Sequence, residues 1–488
     1  MSSHPERPPQ DAPRAAFDPE TFRTLGHRLI DHLTEYLTRV EARELPVLPW
    51  TAPDEMLGRW QGEFPAEPAA PETLIEQLGR LIDQSHHLHH PRYTGHQVSA
   101  PLPTAALCDF VVSLLNNGTA IYEMGPVGAA MERRLVLWMA RTLGLGDAAD
   151  GIFTSGGSAG NLTALLAARQ AAAGFDIWSQ GDHGGPPLAL LVSEQAHYSV
   201  SRAVQIMGWG QGGAVPVPVD AQYRLRPEAL PAALAAAERA GRRVVAVVAS
   251  ACSTATGAFD PLEPMADFCA ARGLWLHVDG AHGASAILSP RYRELLRGIE
   301  RADSVVWDAH KMMLVPSLVT AVLFREGRHS YQTFAQEASY LFAPAHERPQ
   351  EWFNLGVRTL ECTKDVMVAK LYLSLLVHGT RLFADHIDAT FDLARRFARR
   401  ITETPGFELA TSPEANIVCF RYAPVGLAPA ERDALQTRIR QRLVESGRFY
   451  LVQTRLADGV YLRTTLINPL TSDADLAALL DAIRDDVR

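Results

Sequence analysis

The sequence predicts an α/β protein built on a mainly parallel sheet, and three observations carry that expectation. Short β-branched runs at residues 188–192, 244–250, 274–278, 304–307 and 320–324 alternate with helical segments. The runs are apolar on both faces, as strands covered by helices on either side must be. Beyond residue 377 the pattern changes, and short strands at 407–409, 415–421 and 461–466 alternate with helices at 429–446 and 472–487. That second pattern predicts a smaller C-terminal α+β domain.

Taken in order, residues 1–14 are rich in Pro, Ser and charge and have no apolar centre. They read as a disordered leader, ending near residue 16, and not as a secretion signal. Between 18 and 40 the apolar residues Phe22, Leu25, Leu29, Ile30, Leu33 and Leu37 recur at helical spacing, which gives an amphipathic helix suited to packing on a partner subunit. A Pro-rich stretch, 45–71, precedes a second helix at 72–84. Residues 17–89 are therefore expected to form an N-terminal helical segment, 90–377 a large domain closed by a long helix over 363–377, and 378–488 the small domain.

Composition narrows the function classes. A formal charge of −9 on 488 residues, with no Lys/Arg cluster, argues against nucleic-acid binding, which needs a basic surface. No apolar run approaches the roughly 18 residues of a membrane span. The five cysteines, Cys108, Cys252, Cys269, Cys362 and Cys419, lack CxxC spacing. That spacing disfavours a metal site or a disulfide framework and fits a reducing cytoplasm.

The chemistry gathers at strand ends, where open α/β sheets bind ligands. Asp279 follows the 274–278 run and opens a Gly280-Ala281-His282-Gly283 turn, and Lys311 follows the 304–307 run in Trp307-Asp308-Ala309-His310-Lys311. A lysine can form a Schiff base with an aldehyde, and a carboxylate can keep a pyridinium nitrogen protonated, the two groups that pyridoxal phosphate chemistry needs most. The apolar residues flanking Lys311 predict a desolvated amine with a lowered pKa. Thr154-Ser155-Gly156-Gly157-Ser158 enters an Ala/Leu-rich helix, whose first amide groups suit a phosphate. Glu194-Gln195-Ala196-His197 follows the 188–192 run, and Ser253-Thr254 follows 244–250. Each motif also has a plainer reading alone: Asp279 as a turn cap, Lys311 as a surface lysine, Ser158 as a helix cap, His197 as a helix-start residue.

Together the motifs resemble the group II pyridoxal-phosphate-dependent amino-acid decarboxylases, over about residues 90–380. The carriers are His277-Val278-Asp279-Gly280-Ala281-His282, His310-Lys311, Thr154-Ser155-Gly156-Gly157-Ser158, Gln195-Ala196-His197 and Thr256-Gly257-Ala258-Phe259-Asp260. The resemblance implies the aspartate-aminotransferase type of fold (fold type I), pyridoxal 5'-phosphate as cofactor, and an intertwined homodimer with active sites at the interface. It implies Lys311 as the cofactor-binding lysine, Asp279 on the pyridine nitrogen, and His197 and Ala281 on the two ring faces. Thr254 resembles the family threonine near the ring, Gly157 and Ser158 the phosphate turn, and His310 a further phosphate contact. The expected catalytic residues are thus Lys311, His197 and Asp279.

Two positions depart from the family. Asp308 stands where many members have Asn, and a carboxylate would repel phosphate. The loop between residues 340–342 and 360–362 lacks the tyrosine of the animal enzymes, its nearest aromatics being Trp352 and Phe353. The expected reaction is decarboxylation of an L-amino acid to the amine, with His197 or a loop group as proton donor to Cα. The missing tyrosine leaves open an oxygen-dependent variant giving aldehyde, ammonia and peroxide, and aminotransfer is a further alternative. Arg463, where glutamate decarboxylases carry a substrate-side arginine, joins Tyr93, His96, Gln97 and Phe353 as candidate substrate contacts. A small polar or acidic amino acid is the expected substrate.

Overall fold

The computed structural model describes residues 14, 16–60, 62–181, 185–334 and 351–485. Most of the expected leader, and residues 340–342 of the expected loop, lie outside them. The chain divides into two compact units, Met1–Thr94 with Thr437–Leu451 and Leu470–Arg488, and Gly95–Gln436 with Val452–Pro469.

In the first unit, the helix Pro19–Glu41 starts where Asp18 accepts a bond from the Thr21 amide at 2.8 Å. Its apolar stripe finds little cover within the unit: Val40 is buried, while Phe22 and Ile30 are exposed. A second helix, Thr73–Gln84, and the helix Asp473–Asp485 belong to the same unit. Asp475 ties it together through Arg43 at 2.8 Å and Arg92 at 3.4 Å. Burial opposes ionisation of Asp475, but Arg43 and Ser472 outweigh it and hold the carboxyl well below its usual range.

The second unit holds a seven-stranded sheet: β1 (Asp150–Thr154), β2 (Leu188–Ser193), β3 (Ala214–Val217), β4 (Arg243–Ser250), β5 (Trp275–Asp279), β6 (Ser304–Asp308) and β7 (Thr320–Phe324). The order is β1-β7-β6-β5-β4-β2-β3. Pairing is parallel from β6 through β5, β4 and β2 to β3, whereas β7 runs antiparallel to both β1 and β6. The reversal has a local cause. β6 and β7 are joined by a short segment with no helix, and a parallel return needs a crossover of a dozen or more residues, usually helical. Every residue of β1, β2, β5, β6 and β7 is buried, as expected for strands covered on both faces.

A four-stranded antiparallel sheet completes the unit: β8 (Phe407–Leu409), β9 (Ile417–Tyr422), β10 (Val452–Leu456) and β11 (Gly459–Thr465), in the order β10-β11-β9-β8. The long helix departs from expectation. It runs over Ala369–Glu403 and is interrupted at Gly379, whose φ is 69°. Residues near 364 are engaged elsewhere: the Lys364 carbonyl accepts from the Thr119 amide at 3.0 Å, and Lys364 Nζ lies 2.7 Å from Glu132. Strands β1, β3 and β10, not singled out in the sequence, are short, and short strands carry little periodic signal.

Candidate active site

The parallel strands end on one edge, with Ser250 beside Asp279. Asp279 and Asp308 are the last residues of β5 and β6 rather than the first after them. After β2 the chain turns to His197, the N-cap of the helix Tyr198–Ile206. After β1 it turns through Gly156, at φ 104°, into the helix Gly157–Ala173. A side chain at residue 156 would be strained in that conformation.

These ends enclose a cavity of about 250 Å³. Gly157, Ser158, His197, Thr254, Asp279, Ala281, His310 and Lys311, brought from five strand ends, all line it. So do Asn161, Cys252, His282 and Asp308.

At one end, Lys311 Nζ lies 3.0 Å from Asp308 Oδ2, and His310 Nε2 lies 3.5 Å from the same oxygen. The Thr320 hydroxyl donates to Asp308 Oδ1 at 2.6 Å. Burial works against the charge of each member; the attraction wins for Asp308 and Lys311, whereas for His310 burial wins and the pKa is lowered. The Asp308 carboxyl is held below its ordinary range by Lys311, His310 and Thr320. The Lys311 ammonium is held above its own range by Asp308 and Asp279. This corrects the expectation of a lowered lysine pKa, because the flanking sequence does not reveal the carboxylate folded against the amine.

At the other end, Asp279 meets neutral donors. Its Oδ2 accepts from Asn161 Nδ2 at 2.9 Å and its Oδ1 from the Ala281 amide at 3.2 Å. Asn161 also donates to Ser199 Oγ at 2.8 Å, and Ser199 Oγ lies 2.7 Å from His197 Nδ1. Burial lowers the His197 pKa despite the opposing charge of Asp279. Sequence reasoning passed over Asn161 as a functional residue. Its signal is an amide one helical turn beyond Gly157 in an otherwise Ala/Leu-rich helix.

The expected substrate contacts are less gathered, and none of the five is among the residues lining the cavity. Arg463, buried on β11, donates to Thr465 Oγ1 at 3.2 Å. Its charge is felt by two residues that do line the cavity. His282 is pushed down to about 3 by burial first, then by Lys311 and Arg463, and Cys252 is pushed up to about 12 by burial against the same two cations. A thiol at that value is no nucleophile near neutral pH. The segment carrying His96 and Gln97 runs beside the lysine turn, with Ser99 Oγ donating to the His310 carbonyl at 3.1 Å. Phe353 meets Tyr122 and Trp352 edge-on, at 5.8 Å and 5.7 Å. Tyr93, in the first unit, stacks on Tyr450 at 5.5 Å.

The cavity suits a flat ring bearing an aldehyde and a phosphate. Close approach is built in: a Cβ at residue 157 would come within 3.3 Å of both Asp308 oxygens and 3.5 Å of Ala281 Cβ. The amine and the carboxylate, Lys311 and Asp279, lie on the same cavity as the glycine turn. Asp308 would repel a phosphate if bare, but it is covered by Lys311 and His310.

Residues 53–423 match the family model described as the pyridoxal-dependent decarboxylase conserved domain. The chain is 31% identical over 452 residues to cysteine sulfinic acid decarboxylase of Rattus norvegicus, covering 89% of this chain and 90% of the relative. It is 28% identical over 467 residues to aromatic-L-amino-acid decarboxylase of Bacillus atrophaeus, covering 95% of each. The crystal structure of mouse CSAD in its apo form superposes with a TM-score of 0.89 at 28% identity, covering 96% of this chain and 99% of that one. The chain therefore belongs to the pyridoxal-dependent decarboxylase family and is a pyridoxal-phosphate-dependent amino-acid decarboxylase, a carboxy-lyase.

Proposed function

We propose that the substrate is a small polar or acidic L-amino acid, and the observation that carries this reading is Arg463. A buried guanidinium whose charge reaches His282 and Cys252 on the cavity wall is suited to a carboxylate, which it can bind through two parallel hydrogen bonds. Curated relatives differ in substrate, some named for cysteine sulfinic acid or acidic amino acids and one for aromatic amino acids. A buried cation whose charge acts on two cavity-lining residues favours the acidic class.

In this reading the amides that open the helix Gly157–Ala173, with Ser158 and His310, hold the phosphate. Asp279 would take the ring nitrogen, Thr254 a ring substituent, and His197 and Ala281 would flank the ring. Bound pyridoxal phosphate supplies an aldehyde for the amine and a ring that accepts the electron pair left when carbon dioxide departs. Lys311 would hold the cofactor through its aldehyde. Arg463 would orient the substrate through its side-chain carboxylate, while the carboxylate on Cα leaves as carbon dioxide and a proton coming ultimately from solvent takes its place.

We also propose a homodimer. The helix Pro103–Leu115 is fastened to Ala369–Glu403 by Lys370 to Asp109 at 2.9 Å and Thr104 to His378 at 2.9 Å. It leaves Leu107, Phe110, Val111, Leu114 and Leu115 exposed, beside exposed Leu376 and Val377 on its neighbour, an apolar face of the kind subunits cover. The five cysteines are free, and among the described residues no helix is long and apolar enough to cross a membrane. The free thiols support a cytoplasmic setting.

A panel of amino acids assayed together for carbon dioxide, amine, aldehyde and peroxide tests this reading. An acidic or small polar substrate should lead, with amine matching carbon dioxide, and Arg463→Met should raise KM for it about tenfold or more. An aromatic amino acid as the best substrate would overturn the substrate assignment, and aldehyde with peroxide would move the reaction to its oxidative variant.

A further inference from the structure

We propose that Asn161 is a positioning residue that fixes His197 as a neutral imidazole with its proton on Nε2, and that His197 therefore serves the reaction as a hydrogen-bond donor and not as the acid that protonates Cα.

A chain of contacts leads to His197, and its direction is set at both ends. Trp275 Nε1 can only donate, and it lies 2.8 Å from Ser304 Oγ. The Ser304 hydroxyl proton is thereby turned to His277 Nδ1, 2.8 Å away. His277 is fully buried and pushed down to about 4 by that burial, so it is neutral near pH 7 and its one proton sits on Nε2. That proton goes to Asn161 Oδ1 at 3.0 Å. The orientation of the Asn161 amide is then fixed, and its two N–H groups point to Asp279 Oδ2 at 2.9 Å and Ser199 Oγ at 2.8 Å. Having accepted from Asn161, the Ser199 hydroxyl donates to His197 Nδ1 at 2.7 Å.

The far end gives the same answer independently. The Ser199 backbone amide, also donor only, lies 3.3 Å from His197 Nδ1. Both groups facing Nδ1 are thus donors, and the imidazole proton is left on Nε2. Among the described residues Nε2 has no protein partner, and His197 lines the cavity. It can hydrogen-bond an acceptor on a bound molecule. A second proton on Nδ1 would face the fixed Ser199 amide, so the imidazolium form that a general acid requires is disfavoured. Asp279, Asp308, Lys311 and Arg202 are the charged groups that act on this ring. Asn161 spans both arms, so it also ties the aim of Asp279 to that of His197.

The catalytic consequence rests on the reading that Asp279 and His197 face the cofactor, but the tautomer does not. The test uses full-length protein carrying 15N-histidine, with pyridoxal phosphate bound, and His197 signals identified by their loss in His197→Gln. The expected result is a neutral ring protonated at Nε2 that does not titrate between about pH 6 and pH 8. In Asn161→Asp, a carboxylate of the same size captures the Ser199 hydroxyl and faces Asp279. His197 Nδ1 then loses its hydroxyl donor and keeps only the Ser199 amide at 3.3 Å, so its 15N signal should shift from that of the wild type, and cofactor affinity should fall about tenfold or more. Asn161→Leu serves as a second variant, with circular dichroism to establish folding, and should lose affinity similarly. A wild-type ring protonated on Nδ1, or titrating near neutrality, overturns the proposal. So does an Asn161→Asp protein with His197 and cofactor affinity unchanged. A fixed Nε2 proton in an enzyme that prefers aromatic substrates would sink only the substrate assignment.

Discussion

Two buried carboxylates, Asp279 and Asp308, end adjacent parallel strands on the same cavity, and the protein equips them in opposite ways. Asp279 is held by an amide side chain and a backbone N–H. Asp308 is held by an ammonium, an imidazole and a hydroxyl. Neutral donors orient a carboxylate but leave its charge to act on a third group, whereas a cation within 3.0 Å largely consumes it. The difference explains how one small cavity carries two acids without their doing the same work. In the proposed reading Asp279 is available to a cofactor nitrogen, whereas Asp308 pairs with Lys311.

The largest expected effect comes from removing the cation that separates the two environments. Lys311→Ala should lower kcat by at least about 1,000-fold, the scale of deleting a covalent group. Borohydride treatment should then leave no cofactor attached after denaturation, and cofactor retained in the variant would show that another amine does this work. Next, Asp279→Asn should cost about 100-fold in kcat, since a preorganised charge is lost where none replaces it. A loss no larger than that of Asp308→Asn would erase the proposed contrast.

Asp308→Asn should act mainly through Lys311, with about tenfold or less lost in kcat. Lys311 titrates above its ordinary value because of Asp308. Without that charge the free amine appears at lower pH, so the pH profile for cofactor capture, followed by absorbance, should move to the acid side. A shift to the alkaline side would break the assignment. Stability follows the same logic. The raised Lys311 contributes stability that is complete below its unfolded pKa and lost as pH rises through the folded one. The depressed Asp308 contributes stability present above its unfolded pKa and lost as pH falls through the folded one. Denaturation of the cofactor-free variant should therefore depend less on pH at both extremes. The smallest effect is expected from Thr320→Val, which removes one hydroxyl from a carboxylate that keeps its ion pair with Lys311, and should cost about 1–3 kcal/mol in urea unfolding.

Much of the site was readable because it is local. Asp279, His197, Thr254 and Lys311 follow β-branched runs, and strand ends on one edge of a parallel sheet converge whatever the details of packing. The glycine turn announces itself by composition. What could not be read is non-local. The flanks of Lys311 are apolar and suggested a depressed amine, but the carboxylate three residues earlier folds back against it. The role of Asn161 is not local, because its partners Ser199, His277 and Asp279 lie 38, 116 and 118 residues away. The helix expected over 363–377 was displaced by Lys364, whose partner Glu132 is 232 residues distant.

The sequence by itself determined the fold class, the cofactor chemistry and the strand ends on which that chemistry stands, since periodicity and turn composition act within a few residues. Tertiary structure decided which charge each carboxylate keeps, which way the imidazole proton points and which substrate-side residues approach the cavity. Those depend on pairings between groups far apart in the chain, made inside a low-dielectric interior where a single hydrogen bond or counter-charge reverses what burial alone would dictate.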